Sequence, residues 1–347
     1  MKLVSFLNGG REQVGLLLFN DVFVLKDLHP EIPSTMGSLL EHWSYYMKLA
    51  KEAEFILKNN PEMQKAGIPV RKIKLLAPVP YPGSLRDGYA FRRHVETARR
   101  NRGLDMISAF DEFPVFYFGN HSSVKGPGVI YCMEDHFEGL DFELEVAALI
   151  CKPGKNIRAH DAGEYIGGLM ILNDFSARQL QLEEMQLSLG PAKGKDFATT
   201  MGPWLVTTDE LQTRHCPPPA GHTGDCWDLQ MLARVDDSLV SSGNLSEMQW
   251  TFAELIERAS YGVDLYPGDI IGSGTVGTGC FLELNGTNKL VDPNYIPQWL
   301  KAGETVELEV ECLGTLKNTI KKEEDHFSIL QLKKIIDDFT DKRYSPD

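Results

Sequence analysis

The segment DFELEVAALI, residues 141–150, constrains this chain most. Val146–Ile150 is an unbroken apolar run and a strand candidate, yet Glu143 and Glu145 stand directly before it. On a strand, residues two apart project from one face, so the two glutamates would lie side by side. Carboxylates so placed repel each other until a cation sits between them or one proton is shared. A hard divalent cation takes oxygen ligands, commonly a few carboxylates plus water. A third carboxylate, Asp174, closes the apolar run of LMILNDFSAR, where a loop would present it to a site. The pattern alone leaves blander alternatives open. DFELE alternates polar and apolar residues as any half-exposed strand does, and Asp174 would serve equally as a helix N-cap for SARQLQLEEM.

Around this segment the chain reads as strands and turns with few long helices. Strand candidates are Leu169–Leu172, Trp204–Thr207, Gln230–Val235, Asp269–Gly272 and Val306–Val310. Near the start, two short strands flank an Asn20-Asp21 turn. Leu39, Leu40, Trp43, Met47, Ala50, Ala53 and Leu57 recur at steps of three and four, which predicts a helix over 37–58. Phe252–Ala259 reads as a short helix ending near Gly262, and Phe327–Phe339 as an amphipathic one. There is no regular strand–helix alternation, no GxGxxG after a strand and no GxxxxGK(S/T), so Rossmann and P-loop readings fail. The expected fold class is α+β and mostly β. A boundary near 72–80, ahead of the Pro-rich VPYPG, predicts a small N-terminal domain over 1–72 and a larger one over 73–347.

Charge removes one class of function. Asp and Glu number 49 against 35 Lys and Arg, a net charge of −14 that argues against a dedicated nucleic-acid binder. Hydrophobic residues at 42% suffice for a core. No stretch approaches the ~18 apolar residues of a membrane span. The start, MKLVSFLNGGREQVG, lacks a signal peptide's apolar core and cleavage site, so a cytoplasmic address is expected. Six scattered cysteines without a CxxC read as buried thiols.

The blocks DFELEVAALI, GGLMILNDFSARQLQ, LGPAKGKDFATTMGPWLVTTDEL, LYPGDIIGSGTVGTG and LKAGETVELEVECLGTLKN, in that order and spacing, resemble the fumarylacetoacetate hydrolase superfamily from about Lys74 onward. The resemblance implies a catalytic domain of mixed, rolled, barrel-like sheets, with residues 1–72 as the small N-terminal domain of the longer members. It implies Mg2+, or Ca2+ or Mn2+ in its place, held by Glu143, Glu145 and Asp174. RDGYAFRRHVETARR, residues 86–100, looks like the region that supplies a fourth carboxylate and a general base, here Asp87 and His94. By the same resemblance Glu283 orients His94, and Lys195, Arg178 and Gln181 stabilise a developing oxyanion. Tyr89, Tyr117 and Thr275 would face the substrate. The arginine for the far carboxylate has no clean match: Arg99, Arg100 and Arg102 all stand close, and Arg102 is carried as the candidate. SARQ stands where SARD is usual, and GTVGT (274–278) where GTPGG is usual.

The activity so implied is hydrolysis of a carbon–carbon bond in a β-diketone acid, with fumarylacetoacetate, the tyrosine-degradation intermediate, as the leading substrate. Acylpyruvate hydrolysis, oxaloacetate decarboxylation and hydration or isomerisation of 2-oxo-enoic diacids are the alternatives on the same metal–enolate chemistry. A non-enzymatic metal- or ligand-binding module is a further one. A homodimer acting on a small diketo or oxo acid is implied as well. His215, Cys216, His222 and Cys226 offer zinc-type donors, but their spacing fits no standard pattern and favours a solvated loop. Finally, residues 86–102 hold six arginines against Asp87 and Glu96, a local surplus that would draw a dianion to the site.

Overall fold

The computed structural model describes residues 1–332. Its principal strands, in chain order, begin with β1 (Lys2–Asn8), β2 (Arg11–Leu18), β3 (Asp21–Val24), β4 (Leu85–Gly88), β5 (Phe116–Gly119), β6 (Gly128–Cys132) and β7 (Leu144–Ile150). They continue with β8 (Ile166–Asp174), β9 (Thr199–Val206), β10 (Gln230–Val235), β11 (Ser238–Asn244), β12 (Ile270–Gly272), β13 (Thr305–Val310) and β14 (Gly314–Lys322). The helices that matter below are α1 (Trp43–Lys58), α2 (Arg92–Arg100), α3 (Arg178–Met185), α4 (Phe252–Ser260) and α5 (Phe281–Val291).

A 12-stranded sheet runs from the short strand Ile68–Pro69 through β3, β2, β1, β9, β8, β7, β12 and β4 to β5. Its neighbours on this path are antiparallel except β12 and β4, which are parallel. The path has two free ends, so the large sheet is open and the barrel-like expectation does not hold among the described residues. A second sheet orders β11, β10, β13, β14 and β6. The fold is mixed α+β and mostly sheet, as the sequence predicts. Residues 1–72 pair directly into the larger sheet, through β1 on β9.

The unbroken apolar run of β7 follows from its position. Leu144, Val146, Ala148 and Ile150 pack in one core with Met231, Val306, Leu308 and Leu316 of the second sheet. Ala147 and Leu149 face the opposite core, with Leu39, Trp43, Met47 and Leu57. A strand covered on both faces has no water-facing side, so alternation disappears from its sequence. β8 divides likewise, with Leu169 and Ile171 on one side and Met170 and Leu172 on the other.

The predicted helix over 37–58 is two helices, Met36–Glu41 and α1, broken at His42. Both halves still bury the predicted stripe. The 252–259 helix is α4, opened by a capping box in which Thr251 and Glu254 satisfy each other's backbone N–H groups. The hairpin between β2 and β3 turns on Phe19-Asn20, both at positive φ, one residue before the expected Asn-Asp pair. The helix expected over Phe327–Phe339 falls largely outside the described residues, and its start holds only the 3-10 turn Leu330–Leu332.

Candidate active site

Strand register brings the acidic residues together. β7 pairs with β8 so that Leu144 opposes Asn173 and Glu145 opposes Leu172. β7 pairs with β12 at Ala147 and Gly272, and Gly272 in turn opposes Asp87 on β4. Residues opposed across strands share a face, and residues two apart on one strand share it too. Glu143, Glu145, Asp174 and Asp87 therefore emerge on one face of the large sheet, at the end of the strands. All four are buried: Glu143 is 6% exposed and Glu145 0%. The half-exposed-strand alternative for DFELE fails on this point. So does the N-cap alternative for Asp174, which ends β8, while Ala177 precedes α3.

Glycine makes the fourth carboxylate possible. A Cβ on Gly272 would lie 2.1 Å from Asp87 Oδ1. The bare backbone there gives the Asp87 carboxylate room to occupy. The Gly274 N–H donates to the same oxygen at 3.1 Å. Gly274 has φ +76°, and a Cβ on it would meet the Gly88 carbonyl at 2.5 Å, so both conformation and space exclude a side chain.

The neighbouring cations are fixed. Lys195 Nζ donates to Glu143 Oε2 at 2.5 Å and to Asp174 Oδ2 at 2.7 Å. Arg178 donates to Glu143 Oε1 at 2.8 Å, to Asp141 Oδ2 at 2.8 Å and to Gln181 Oε1 at 2.9 Å. Tyr117 donates its hydroxyl to Asp174, and Thr275 donates to Glu145 Oε1 at 3.2 Å. Burial would raise Glu143, but Lys195 and Arg178 outweigh it and hold it at about 2. Burial and the Asp174 charge push Asp87 up to about 7. Burial and the charges of Asp87 and Glu143 push Glu145 well above the usual carboxylate range, and the Asp87 and Glu145 carboxyls are within hydrogen-bonding reach of each other. Burial raises Asp174 as well, against the pull of Lys195.

Next to this cluster lies a histidine–carboxylate pair. His94, from α2, places Nδ1 at 2.6 Å from Glu283 Oε2 in the first turn of α5, and both are buried. His94 is close enough to Glu143 to act on its charge. The Tyr89 ring meets the His94 ring edge-on, with centroids 5.7 Å apart. Arg102 is exposed and does not join the carboxylates, but its charge reaches the Tyr89 hydroxyl.

Several contributors carry no sequence signal. Asp141 accepts from the Phe281 and Leu282 N–H groups as well as from Arg178, so it ties α5 to α3. Asn173 accepts the Glu143 N–H at 3.0 Å, and Thr199 donates to Asp174 at 3.3 Å. Cys280 lies buried beside His94 and Glu283. An acidic residue inside an acidic block, or an Asn at a strand end, has no spacing that marks it in advance.

The structure bears on two further sequence readings. The arginine surplus of residues 86–102 is reduced by carboxylates from elsewhere in the chain: Arg86 pairs with Asp269, Arg92 with Asp111 and Arg93 with Glu247, while Arg99 donates to the Asp105 carbonyl. The zinc-type donors do not converge. His215 pairs with Asp225 and His222 with Glu254, and among the described residues no metal-type cluster contains them. Residues 215–216 and 226–227 form a short antiparallel ladder rather than a purely irregular loop. The buried-thiol reading holds for Cys132, Cys151, Cys226 and Cys280, while Cys216 and Cys312 are half-buried. No helix among the described residues is long and apolar enough to cross a membrane.

The residues fit a divalent cation. Ligand oxygens of Asp87, Glu143 and Glu145 lie within 4.8 Å of one another. Glu145 Oε2 is buried and receives no hydrogen bond from a neighbouring N–H or hydroxyl, an arrangement that costs free energy unless a cation or a proton shared with Asp87 meets it. An all-oxygen, carboxylate-rich donor set suits a hard cation of the Mg2+, Ca2+ or Mn2+ type.

A buried carboxylate cluster beside a His–Glu pair, on an open mixed sheet, defines a class of enzyme-like site. Residues 84–321 match the family model for the fumarylacetoacetate hydrolase C-terminal domain. The chain belongs to the fumarylacetoacetate hydrolase family. It is 30% identical to the oxaloacetate tautomerase YisK of Bacillus subtilis, covering 84% of this chain and 88% of that protein. It is 27% identical to the fumarylacetoacetase of Arabidopsis thaliana, covering 86% and 82%. The fold is similar to that of a fumarylacetoacetate hydrolase from Exiguobacterium antarcticum, at a TM-score of 0.64 and 24% identity over 93% of this chain and 100% of that one. The relatives of this family are enzymes with several chemistries, among them hydrolases, tautomerases and isomerases.

Proposed function

We propose that the protein is a metal-dependent hydrolase that cleaves a carbon–carbon bond in a β-diketone acid, with fumarylacetoacetate, split to fumarate and acetoacetate, as the leading substrate. The observation that carries this reading is the buried His94–Glu283 pair, at 2.6 Å, beside the carboxylate cluster. Asp87, Glu143, Glu145 and Asp174 would hold the cation. When bound, it supplies Lewis-acid polarisation of the paired oxygens that a 1,3-dicarbonyl offers.

The chain's own residues do the rest. Glu283 accepts from His94 Nδ1–H and so leaves Nε2 free to take a proton from water. The hydroxide so formed adds to the ketone carbon, the adjacent carbon–carbon bond breaks, and the departing carbon receives a proton. Lys195 and Arg178, together with the Gln181 carboxamide that Arg178 holds, supply fixed positive charge and donors for the oxyanion. Tyr89 beside His94, and Tyr117 and Thr275, which donate to Asp174 and Glu145, would face the substrate, and Arg102 would meet its far carboxylate. The sequence resemblance also implies a homodimer, and the cytoplasm is the compartment in which we propose that it works.

A second reading has a specific support, the 30% identity to an oxaloacetate tautomerase. Keto–enol exchange needs only a proton moved between carbon and oxygen, which the same His94 can do without water as a nucleophile. Loss of the diketone absorbance on fumarylacetoacetate, with Mg2+ present, tests the first reading. The rate of enol loss on oxaloacetate tests the second. Turnover of fumarylacetoacetate that persists in His94→Ala would overturn the mechanism, and turnover of oxaloacetate alone would overturn the substrate assignment.

A further inference from the structure

Beside the His94–Glu283 pair stands one donor that the hydrolytic scheme does not use, the Cys280 thiol. Cys280 is the N-cap residue of α5, in extended conformation, and Glu283 follows three residues on, in the first turn of the helix. α2 packs against that turn and brings in His94. A ring nitrogen of His94, the Cys280 sulfur and a Glu283 oxygen all lie within 4.8 Å of one another, and all three residues are buried. The sulfur sits at the mouth of α5 without capping it, because the Phe281 and Leu282 N–H groups are taken by Asp141. The charges that act on the thiol are the carboxylates Asp141, Glu143 and Glu283 against the guanidinium of Arg178. The surroundings are therefore electronegative and favour a bound cation.

The donor set differs in kind from the carboxylate cluster. Nitrogen, sulfur and one carboxylate oxygen are borderline-soft ligands, the combination that binds Zn2+ with an open fourth position, whereas four carboxylates suit a hard cation. We infer that His94, Cys280 and Glu283 form a second metal site, selective for Zn2+ and similar thiophilic cations, whose occupation shuts the enzyme off by sequestering its base. Zn2+ displaces the thiol proton to bulk water, binds the thiolate, and takes up the His94 nitrogen and the Glu283 oxygen that otherwise serve catalysis. The inhibitory part of this inference rests on the reading of His94 as the base; the binding part does not.

The experiment separates the two. The full-length protein is saturated with Mg2+ and titrated with Co2+ as a spectroscopic stand-in for Zn2+. A thiolate ligand gives Co2+ a near-ultraviolet charge-transfer band, and carboxylates do not. The band should appear in the wild type, disappear on addition of Zn2+, and be missing in Cys280→Ser. In the activity arm, Zn2+ should inhibit the Mg2+-loaded wild type, reversibly on chelation. Loss of a neighbour that merely orients a ligand weakens metal affinity about 10–100-fold. Loss of the thiolate itself should raise the half-inhibitory Zn2+ concentration at least that much in Cys280→Ser, with uninhibited turnover retained. A wild-type band absent, or equally present in Cys280→Ser, overturns the site. A band that depends on Cys280 together with turnover indifferent to Zn2+ keeps the site and overturns the assignment of His94 as the base.

Discussion

Lys195 offers the sharpest perturbation of the carboxylate cluster. Its ammonium is buried, 5% exposed, and bridges Glu143 and Asp174 at 2.5 and 2.7 Å. Replacing it with Met keeps the volume and removes the charge. Removing one partner of a buried pair typically costs about 3–5 kcal/mol. The same scale follows from Glu143, held at about 2 against an ordinary 4.5. Its shift corresponds to about 3 kcal/mol at about 1.4 kcal/mol per unit. Arg178 supplies part of that and remains in the variant, while loss of the Asp174 contact adds to the cost, so a net loss of about 3 kcal/mol is expected. A carboxylate with a depressed native pKa contributes stability above its unfolded pKa and loses it as pH falls toward the native value. The deficit of Lys195→Met should thus be full at neutral pH and shrink below about pH 4.5. Urea unfolding followed by circular dichroism measures it, with and without saturating Mg2+. The divalent cation should narrow the gap, since it replaces the lost positive charge. Equal unfolding free energies for wild type and variant in chelator at neutral pH would refute the view that Lys195 holds mutually repelling carboxylates together.

Other outcomes follow from the same geometry. Glu283→Gln keeps the size of the side chain but removes the negative acceptor for His94 Nδ1, so turnover should fall by about 10²–10⁴, the usual worth of general acid–base catalysis, while Mg2+ affinity measured by calorimetry stays the same. Gly272→Ala sets a Cβ against Asp87 Oδ1, and Mg2+ affinity should fall about 10–100-fold as that carboxylate is displaced. Wild-type affinity in this variant would remove Asp87 from the ligand set. His136 is buried against the Phe197 ring and accepts the Met133 N–H; burial lowers its pKa from 6.5 to about 4. The unfolded chain then binds the proton more readily than the folded one. Stability should decline as pH drops from about 6.5 to about 4, by about 3 kcal/mol in all. His136→Phe should flatten that part of the urea-derived stability profile, and an unchanged slope would point to other titrating groups.

The sequence carried the elements in uneven measure. Some strands were legible to within a few residues, as Gln230–Val235 and β13 show, because one buried face leaves an alternating apolar mark in the sequence. The His42 break was not legible, since the buried stripe runs straight across it. The arginine surplus was legible as composition, but its size as a charge was not. Its partners Asp111, Glu247 and Asp269 come from elsewhere in the chain, and only folding delivers them. Asp141 was invisible as the link between α3 and α5, because its role rests on N–H groups 140 and 141 residues away.

By itself, the sequence determined that carboxylates would have to share a face beside a buried strand, for the period of a strand is local and Glu143 and Glu145 are two apart. It also determined the family, because motif order and spacing survive without coordinates. The tertiary structure decided the rest. It brought Asp87 to that face by pairing β4 with β12 across a glycine, and it set Glu283 against His94 from 189 residues away. It also left one Glu145 oxygen with no hydrogen bond from an N–H or hydroxyl and gave Cys280 its neighbours. Those facts depend on which strands and helices lie side by side, and burial then sets the charge each group can bear. No local pattern encodes either.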